Sequence, residues 1–494
     1  MTNRKYAALL LVSAALVSGC NTQKDLNEPV ASPEIASAFN VEEIWSRNTG
    51  GVGEFYSRLS PCIDSNTIYM AGRDGDIYAF DKLTGDRIWN TDVDWEDENF
   101  DRRSSRLSGG VAAYAGKVAV GSENGYIYLL NSGNGEIMWR HYVGSEILTK
   151  PSFSKSGDKL FVLDAKGALT AFDSATGNVL YVSGESTSPL RLRSQSTPLA
   201  VGDEYVIVGK TNGKIFILDQ ATGTIANQIT VSQAVGINSL QRISDVSSTP
   251  LLHGDSLYAT SYQGGFVEYS FAKNAITTKL GYNSSLDLAM DDDVFVIVQD
   301  DGHIFCVSRS SNQELWSNMQ LTYRKVSAPV IYGSYVVVGD YEGYLYFLDL
   351  NDGRIVTKID IDGSAIYTTP QVDGSNLYVA TQDGDLACLR YDPAGLALQK
   401  STAIKVQNDY AGIGVNMTAP DTGGTGFYSP ASMTREELME RRRKIIQAVA
   451  QMEARQEAAK RQHAEYERRR KAYEAERRRR MSGFGIAPGV ISEQ

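Results

Sequence analysis

The sequence predicts an all-β fold, an eight-bladed β-propeller, from a repeated turn, the spacing of its copies and one unpaired strand. In each copy a strand-like run leads into a short polar turn that ends in glycine, and a second strand-like run follows. The turn glycines lie 38 to 51 residues apart and are Gly75, Gly125, Gly167, Gly213, Gly264, Gly302, Gly343 and Gly384. A repeat of about 40–45 residues is the size of one four-stranded propeller blade.

A second turn follows the second strand-like run of the early copies. It reads Asp-Lys-Leu-Thr-Gly at residues 81–85, and similar turns occupy residues 131–135, 173–177 and 219–223. The leading Asp or Asn can accept hydrogen bonds from its own turn, and the final glycine can adopt a positive φ. The pattern therefore predicts two tight turns and at least three strands in each blade.

A large aromatic side chain lies four residues after the second-turn glycine. It is Trp89 in the first copy, Trp139 in the second and Tyr181 in the third, and Trp316 holds the same place in the sixth copy, where residue 312 is asparagine. Because aromatic side chains bury large apolar areas, we interpret them as anchors that pack each outer strand against the neighbouring blade. A ligand cage is the less favoured interpretation.

The eighth copy ends after its third strand, near residues 386–390, with no second turn behind it. Residues 43–46, Glu-Ile-Trp-Ser, carry the strand-and-Trp pattern but have no copy before them. We expect this N-terminal strand to complete the eighth blade and close the ring, which removes exposed sheet edges.

The first twenty residues have the features of a bacterial lipoprotein signal peptide. Arg4 and Lys5 precede an apolar run over residues 7–17, which is too short to span a bilayer, and a lipobox-like Val-Ser-Gly-Cys ends at Cys20. Cys20 is therefore the predicted lipidation site, and Asn21 after it favours the outer membrane. Residues 21–41 are predicted to be a flexible tether spanning about 25 Å, with the propeller in the periplasm.

Three further cysteines, Cys62, Cys306 and Cys388, make an odd number in an oxidising compartment. Buried free thiols are favoured over a disulfide. The histidines are scattered, and the acidic runs at residues 92–97 and 291–293 are interpreted as solvated loops. We expect no catalytic residue, metal, cofactor or nucleic-acid partner.

Three long connections between copies, within residues 95–110, 184–197 and 232–249, are predicted to lie on one face and form a recognition surface. The second contains Pro-Leu-Arg-Leu-Arg at residues 189–193, a composition suited to an interface. The alternative is that Leu190 and Leu192 fold back onto the propeller.

Several stretches resemble the BamB family, the propeller lipoproteins of the outer-membrane β-barrel assembly machinery. The resemblance covers about residues 41–392 and the lipobox, and its motifs lie at residues 44–46, 53–61, 107–111, 192–193, 232–234, 242–246 and 338–346. It implies a non-enzymatic scaffold that binds the periplasmic POTRA domains of the central barrel subunit and assists the folding and insertion of nascent outer-membrane proteins. The partner-binding positions it implies are Leu190, Leu192, Arg193, Arg242 and Asp245. The chain departs from the family pattern at two positions. Ser247 stands where an acidic residue is usual, and Ser194 stands where glycine is usual.

Two alternatives remain at this point. The blades also resemble those of quinone-cofactor dehydrogenases, which carry a vicinal cysteine pair and a calcium site, but no two cysteines are adjacent here. A chaperone-like protein that offers blade edges to unfolded strands is compatible with the scaffold role.

The propeller is predicted to occupy residues 42–407, followed by a linker at 408–432, a long basic α-helix at 433–481 and a disordered tail at 482–494. No glycine or proline interrupts the helical stretch, and apolar residues recur every seven positions from Leu438. It is interpreted either as half of a coiled-coil seam or as a solvated, salt-bridged helix. Anionic lipid, cell-wall polymer or an acidic protein could bind it.

Overall fold

The computed structural model describes residues 27–53, 55, 57–96, 102–184, 192, 195–233 and 243–391. Within these ranges the strands form eight four-stranded antiparallel sheets, which confirms the predicted eight-bladed propeller. No helix occurs in the described ranges, so none there could cross a bilayer. The predicted signal peptide, linker, basic helix and tail lie outside the described residues.

Blades 1 to 4 follow one another along the chain. Their strands, from the inner to the outer edge, are β2 (Cys62–Asp64), β3 (Thr67–Ala71), β4 (Asp76–Asp81) and β5 (Arg87–Asp92); β8 (Leu107–Tyr114), β9 (Lys117–Ser122), β10 (Tyr126–Asn131) and β11 (Ile137–Tyr142); β12 (Ser152–Phe153), β13 (Lys159–Leu163), β14 (Leu169–Asp173) and β15 (Val179–Ser183); and β16 (Leu199–Val201), β17 (Tyr205–Gly209), β18 (Lys214–Asp219) and β19 (Ile225–Thr230).

Blades 5 to 7 repeat this order, and blade 8 takes its outer strand from the N-terminal side. The strands are β20 (Leu251–His253), β21 (Ser256–Ser261), β22 (Gly265–Ser270) and β23 (Ala275–Leu280); β24 (Ala289–Met290), β25 (Val294–Val298), β26 (Ile304–Ser308) and β27 (Glu314–Asn318); β28 (Val330–Tyr332), β29 (Tyr335–Gly339), β30 (Tyr344–Asp349) and β31 (Ile355–Asp360); and β32 (Gln371–Asp373), β33 (Asn376–Ala380), β34 (Asp385–Tyr391) and β1 (Val41–Asn48).

Ring closure occurs as predicted. Strand β1 pairs antiparallel with β34, from Val41 opposite Tyr391 to Asn48 opposite Asp385. The strand begins at Val41, one residue before the predicted start of the propeller. The closing strand joins the two ends of the propeller. Blade 8 therefore needs β1, which is synthesised before the rest of the propeller.

Proline marks the start of six inner strands. Each of these prolines immediately precedes the first residue of its strand. They are Pro61, Pro151, Pro198, Pro250, Pro329 and Pro370. Proline lacks a backbone N–H, so it is tolerated at strand starts and at unpaired sheet edges. Each inner strand is an edge strand of its sheet, which accommodates these prolines.

The predicted aromatic anchors pack between blades. The Trp45 indole Nε1 donates to the Lys82 carbonyl at 3.1 Å, and a Cβ added at Gly85 would lie 2.6 Å from the Trp45 ring. Trp89, Trp139 and Trp316 repeat this contact with the second turn of the next blade. The second-turn glycine is therefore required both for its positive φ and for the indole that covers it.

One turn differs from the sequence prediction. Gly264 was expected to supply the positive φ in blade 5, but Gly265 adopts φ +76° and Gly264 does not. A Cβ at Gly264 would still lie 2.3 Å from the Ser261 hydroxyl and 2.4 Å from the Ser232 Cβ. Gly264 is thus required by packing, while the next glycine makes the turn.

The acidic run after blade 1 is only partly a loop. Strands β6 (Trp95–Glu96) and β7 (Arg102–Arg103) pair antiparallel and form a two-stranded ribbon between blades 1 and 2. The interpretation of residues 92–97 as a solvated loop is therefore wrong at Asp92, which ends β5, and at residues 95–96, which form β6. At residues 291–293 the turn is as expected, because the Asp291 carboxylate accepts from the backbone N–H of Asp293 and of Val294.

The three described cysteines are buried and free, as expected. Cys306 and Cys388 lie at equivalent positions on the third strands of blades 6 and 8. Burial raises the pKa of Cys306 to about 12 and that of Cys388 to about 11. These thiols behave as small apolar side chains of the core.

The prediction of a flexible tether over residues 21–41 is wrong for residues 27–40. Ala38 N donates to the Val356 carbonyl at 2.8 Å, and the Phe39 ring packs against Tyr335, Phe347 and Tyr391. We call residues 27–40 the strap. It lies against blade 7, and sequence patterns did not reveal it because its contacts do not repeat along the chain.

Candidate partner-docking surface

The described ends of the long connections lie on one face of the propeller, as predicted. In blades 1, 2, 4, 7 and 8 the outer strand is followed by a backbone hydrogen bond to the glycine turn of its own blade, for example from Val93 to Gly75 at 3.0 Å and from Val231 to Gly213 at 2.9 Å. Connections between blades and glycine turns therefore share a face, which we call the loop face. The second turns lie on the opposite face.

Two of the predicted partner-binding residues are brought together on the loop face. The Leu192 backbone N donates to the Asp245 carboxylate Oδ2 at 2.6 Å, although 53 residues separate them. This contact joins the connection after blade 3 to the connection after blade 4. Cys20, Leu190, Arg193 and Arg242 lie outside the described residues.

Asp245 is buried, with 1% of its surface exposed, whereas Leu192 is half-buried. The Asp245 carbonyl accepts from Tyr262 N at 3.0 Å, and the next residue, Val246, donates to the Lys210 carbonyl at 3.1 Å. Asp245 is thus fixed between the glycine turns of blades 4 and 5. Its carboxylate accepts a hydrogen bond from the neighbouring connection and is not exposed at the surface.

Lys210, next to this contact, is a buried cation that was not predicted from the sequence. Its ammonium group donates to the Gly167 carbonyl of blade 3, and Lys210 is 6% exposed. Burial lowers the pKa of Lys210 to about 8, and the Asp164 carboxylate opposes this shift. The feature of the sequence that could have indicated this buried lysine is its position directly after the apolar strand Tyr205–Gly209.

The Asp164 carboxylate belongs to the same junction between blades 3 and 4. It accepts from Ala168 N at 2.8 Å, and burial raises the pKa of this carboxyl above its ordinary value. Ser247, at the position where an acid was expected, is buried as well, with 2% exposure. The junction under the Leu192 connection is therefore assembled from buried polar groups, which fix geometry when they are hydrogen-bonded.

A concave site also lies at the mouth of the central tunnel on the loop face. A cavity of about 100 Å³ lies there, and its lining includes Arg58, Lys150, Asp287 and Gln371. Pockets that bind cofactor-sized ligands enclose about 300–1,000 Å³. In the described ranges no three His, Cys, Asp or Glu side chains are grouped to hold a metal ion. A quinone and its calcium ion do not fit the described residues of this site.

Comparisons with known proteins agree with the architecture. The sequence family described as outer membrane protein assembly factor BamB matches residues 73–318. The chain is 33% identical to the outer membrane protein assembly factor BamB of Yersinia pestis over 370 residues, covering 74% of this chain and 93% of that protein. It is 30% identical to the Escherichia coli protein of the same name over 388 residues, covering 78% and 98%.

Solved structures share the fold at lower identity. The crystal structure of BamB from Moraxella catarrhalis superposes with a TM-score of 0.63 at 22% identity, covering 71% of this chain and all of that chain. A europium-containing methanol dehydrogenase superposes with a TM-score of 0.54 at 13% identity, covering 71% and 93%. Both matches describe the fold alone.

Proposed function

The chain belongs to the family of the outer membrane protein assembly factor BamB, and from this membership we propose that it is a non-enzymatic adaptor of outer-membrane β-barrel assembly. In this role it binds the periplasmic POTRA domains of the central barrel subunit and assists the folding and insertion of outer-membrane proteins. A lipid anchor at Cys20 holds it at the outer membrane, facing the periplasm. It has no cofactor.

The hydrogen bond between Leu192 and Asp245 is the observation that supports the docking site best. An adaptor needs a recognition segment held by a rigid scaffold, because ordering a loose segment on binding would reduce affinity. Asp245 performs this task from a buried position between blades 4 and 5. It is a positioning residue for the Leu192 connection.

The proposal divides the predicted residues into two roles. Leu190, Leu192, Arg193 and Arg242 contact the partner, since apolar anchors and arginines contribute strongly at protein interfaces. Asp245 fixes the segment from which these contacts are made. A charge reversal at Arg193 should therefore weaken the interface directly, whereas a change at Asp245 should act through the backbone of Leu192.

Co-purification from envelope extract tests the proposal. Arg193→Glu should capture much less of the barrel subunit than the unaltered protein does. Arg354→Glu is the matched control, because Arg354 lies in a second turn on the opposite face and is 76% exposed. Equal capture by the unaltered protein and Arg193→Glu would contradict the docking site.

A second role, binding of unfolded strands, is favoured by the outer strand of blade 3. Strand β15 carries Val179, Leu180 and Val182, which are 41%, 47% and 62% exposed, and it contains no charged residue. Edge strands usually carry charges that prevent pairing with another chain. Crosslinking from position 180 to nascent barrel segments would support this role, and Val182→Lys should reduce the yield.

A further inference from the structure

The strap crosses blade 7 from the opposite face to the loop face. At its C-terminal end Phe39 lies beside Tyr335 and Tyr391, at the ends of strands β29 and β34 that border the opposite face. Ala38 N then donates to Val356, near the start of β31. Traced toward its N-terminal end, the strap follows β31 toward the loop face, so the two chain directions are antiparallel.

The middle of the strap is attached to a lysine of the outer strand. The Lys358 ammonium group donates to the Ser32 hydroxyl and to the Pro33 carbonyl, each at 3.0 Å. The Ser32 hydroxyl also lies 2.8 Å from the Tyr346 hydroxyl, which donates to the Asp340 carboxylate at 2.8 Å. The half-buried Ile35 packs against the core of blades 6 and 7. These contacts combine polar and apolar attachment over a short segment.

The N-terminal end of the strap is held on the loop face by a buried arginine. Arg324 is 1% exposed, and its Nε donates to Asp340 Oδ2 at 2.7 Å. Its Nη1 donates to the Val30 carbonyl at 2.8 Å, and Val30 N donates to Thr322 at 3.1 Å. Arg324 and Thr322 belong to the connection between blades 6 and 7. A buried guanidinium group with a carboxylate partner is a fixed donor, which makes this attachment directional.

From this path we infer that the strap orients the anchored propeller so that its loop face is turned toward a lipid bilayer. Val30 is held on the loop face, and Asn27, where the described residues begin, lies three residues before it. Only seven peptide units separate Asn27 from Cys20, so the two Cα atoms can be at most about 25 Å apart. The inference rests on the lipid anchor at Cys20 that forms part of the proposed function.

The orientation has a consequence for partner binding. A tether attached at the opposite face would let the propeller present its second turns to the membrane. With the strap docked, the connections that carry Leu192 and Asp245 face the membrane. The short tether limits their distance from it. Partner domains that are themselves attached to the membrane would meet these connections without a search over all orientations, which raises their effective concentration.

Fluorescence energy transfer in proteoliposomes tests the orientation with the full lipidated chain. Ser311→Cys and Met319→Cys are matched labelling sites, because they flank strand β27 on the opposite face and the loop face respectively. The strand of five residues separates the two ends by about 17 Å. The native thiols at Cys62, Cys306 and Cys388 are buried and should not label.

Transfer from position 319 to an acceptor dye on the lipid headgroups should exceed transfer from position 311. A flexible Gly/Ser insertion after residue 26 should abolish the difference, and it leaves every described contact intact. Replacing residues 30–35 with Gly and Ser should do the same by releasing the strap. Equal transfer from the two sites, greater transfer from 311, or a difference that survives both changes would overturn the inference.

Flotation separates this inference from the proposed function. If Cys20→Ala floats with liposomes as well as the unaltered protein does, the anchor is wrong and the inference falls with it, whereas capture of the barrel subunit is unaffected. If orientation is as expected but the barrel subunit is not captured, the proposed adaptor role is wrong and the strap stands.

Discussion

The backbone nitrogen of Leu192 donates to the carboxylate of Asp245 at 2.6 Å, joining two connections that leave different blades. Asp245 is buried and Leu192 is half-buried, so the acid lies beneath the segment that it holds. A residue at a proposed interface therefore acts through its neighbour's backbone. This arrangement leads to the first of four predictions.

Asp245→Ala should lower both the stability of the propeller and capture of the barrel subunit. Loss of a buried hydrogen bond to a charged acceptor costs about 1.5–3 kcal/mol in the free energy of unfolding. Asp245→Asn retains an acceptor oxygen, so its effect on both measurements should be smaller. Urea unfolding and co-purification of the three proteins would check the order. Full capture by Asp245→Ala would contradict the positioning role.

Lys210 should make stability depend on pH in the alkaline range. Burial lowers the pKa of Lys210 to about 8 in the folded protein, below its ordinary value of 10.5. Between these values the unfolded chain binds more protons than the folded one, so stability rises with pH across that window. The stability of the unaltered protein relative to Lys210→Met should therefore increase between pH 8 and 10, by about 1–3 kcal/mol. A constant difference in chemical denaturation would contradict the buried charge.

Gly85→Ala should destabilise the propeller more than Gly116→Ala does. Both glycines have positive φ, +69° and +79°, but the added Cβ at position 85 would lie 2.6 Å from the Trp45 ring, while nothing lies within 4 Å at position 116. Each substitution incurs a backbone term of about 1–2 kcal/mol. Displacement of the closing indole should add about 1–3 kcal/mol at position 85 only. Equal thermal shifts would contradict the role of Trp45 in ring closure.

The free thiols should be unreactive in the folded protein. Cys62, Cys306 and Cys388 are buried, and burial raises the pKa of Cys306 to about 12. In Cys20→Ala, a thiol reagent at pH 8 should therefore modify none of them until denaturant is added, and then all three without prior reduction. Modification of only one thiol in the denatured chain would indicate a disulfide between the other two.

Periodic features of the fold could be predicted from sequence. The glycine turns recur in all eight copies, and the lone strand around Trp45 predicted closure because the eighth copy lacked its fourth strand. Each depends on local residue preferences that are repeated several times. Repetition allowed the blade number to be recognised without any knowledge of long-range contacts.

Contacts that occur once could not be predicted in this way. The strap depends on Arg324 and Lys358, which lie about 300 residues further along the chain and follow no repeat. The position of Asp245 in a loop was evident, but the direction of its carboxylate depends on the backbone of Leu192. Lys210 is equally specific, because its ammonium group reaches a carbonyl of the preceding blade.

The adaptor role is tested most directly by measuring the affinity of the purified lipid-free propeller for purified POTRA domains of the barrel subunit. Saturable binding is expected, and it should weaken at least about tenfold, or about 1.4 kcal/mol, in Arg193→Glu and be unchanged in Arg354→Glu. The absence of saturable binding, or equal affinities for the unaltered protein and both variants, would contradict the adaptor role.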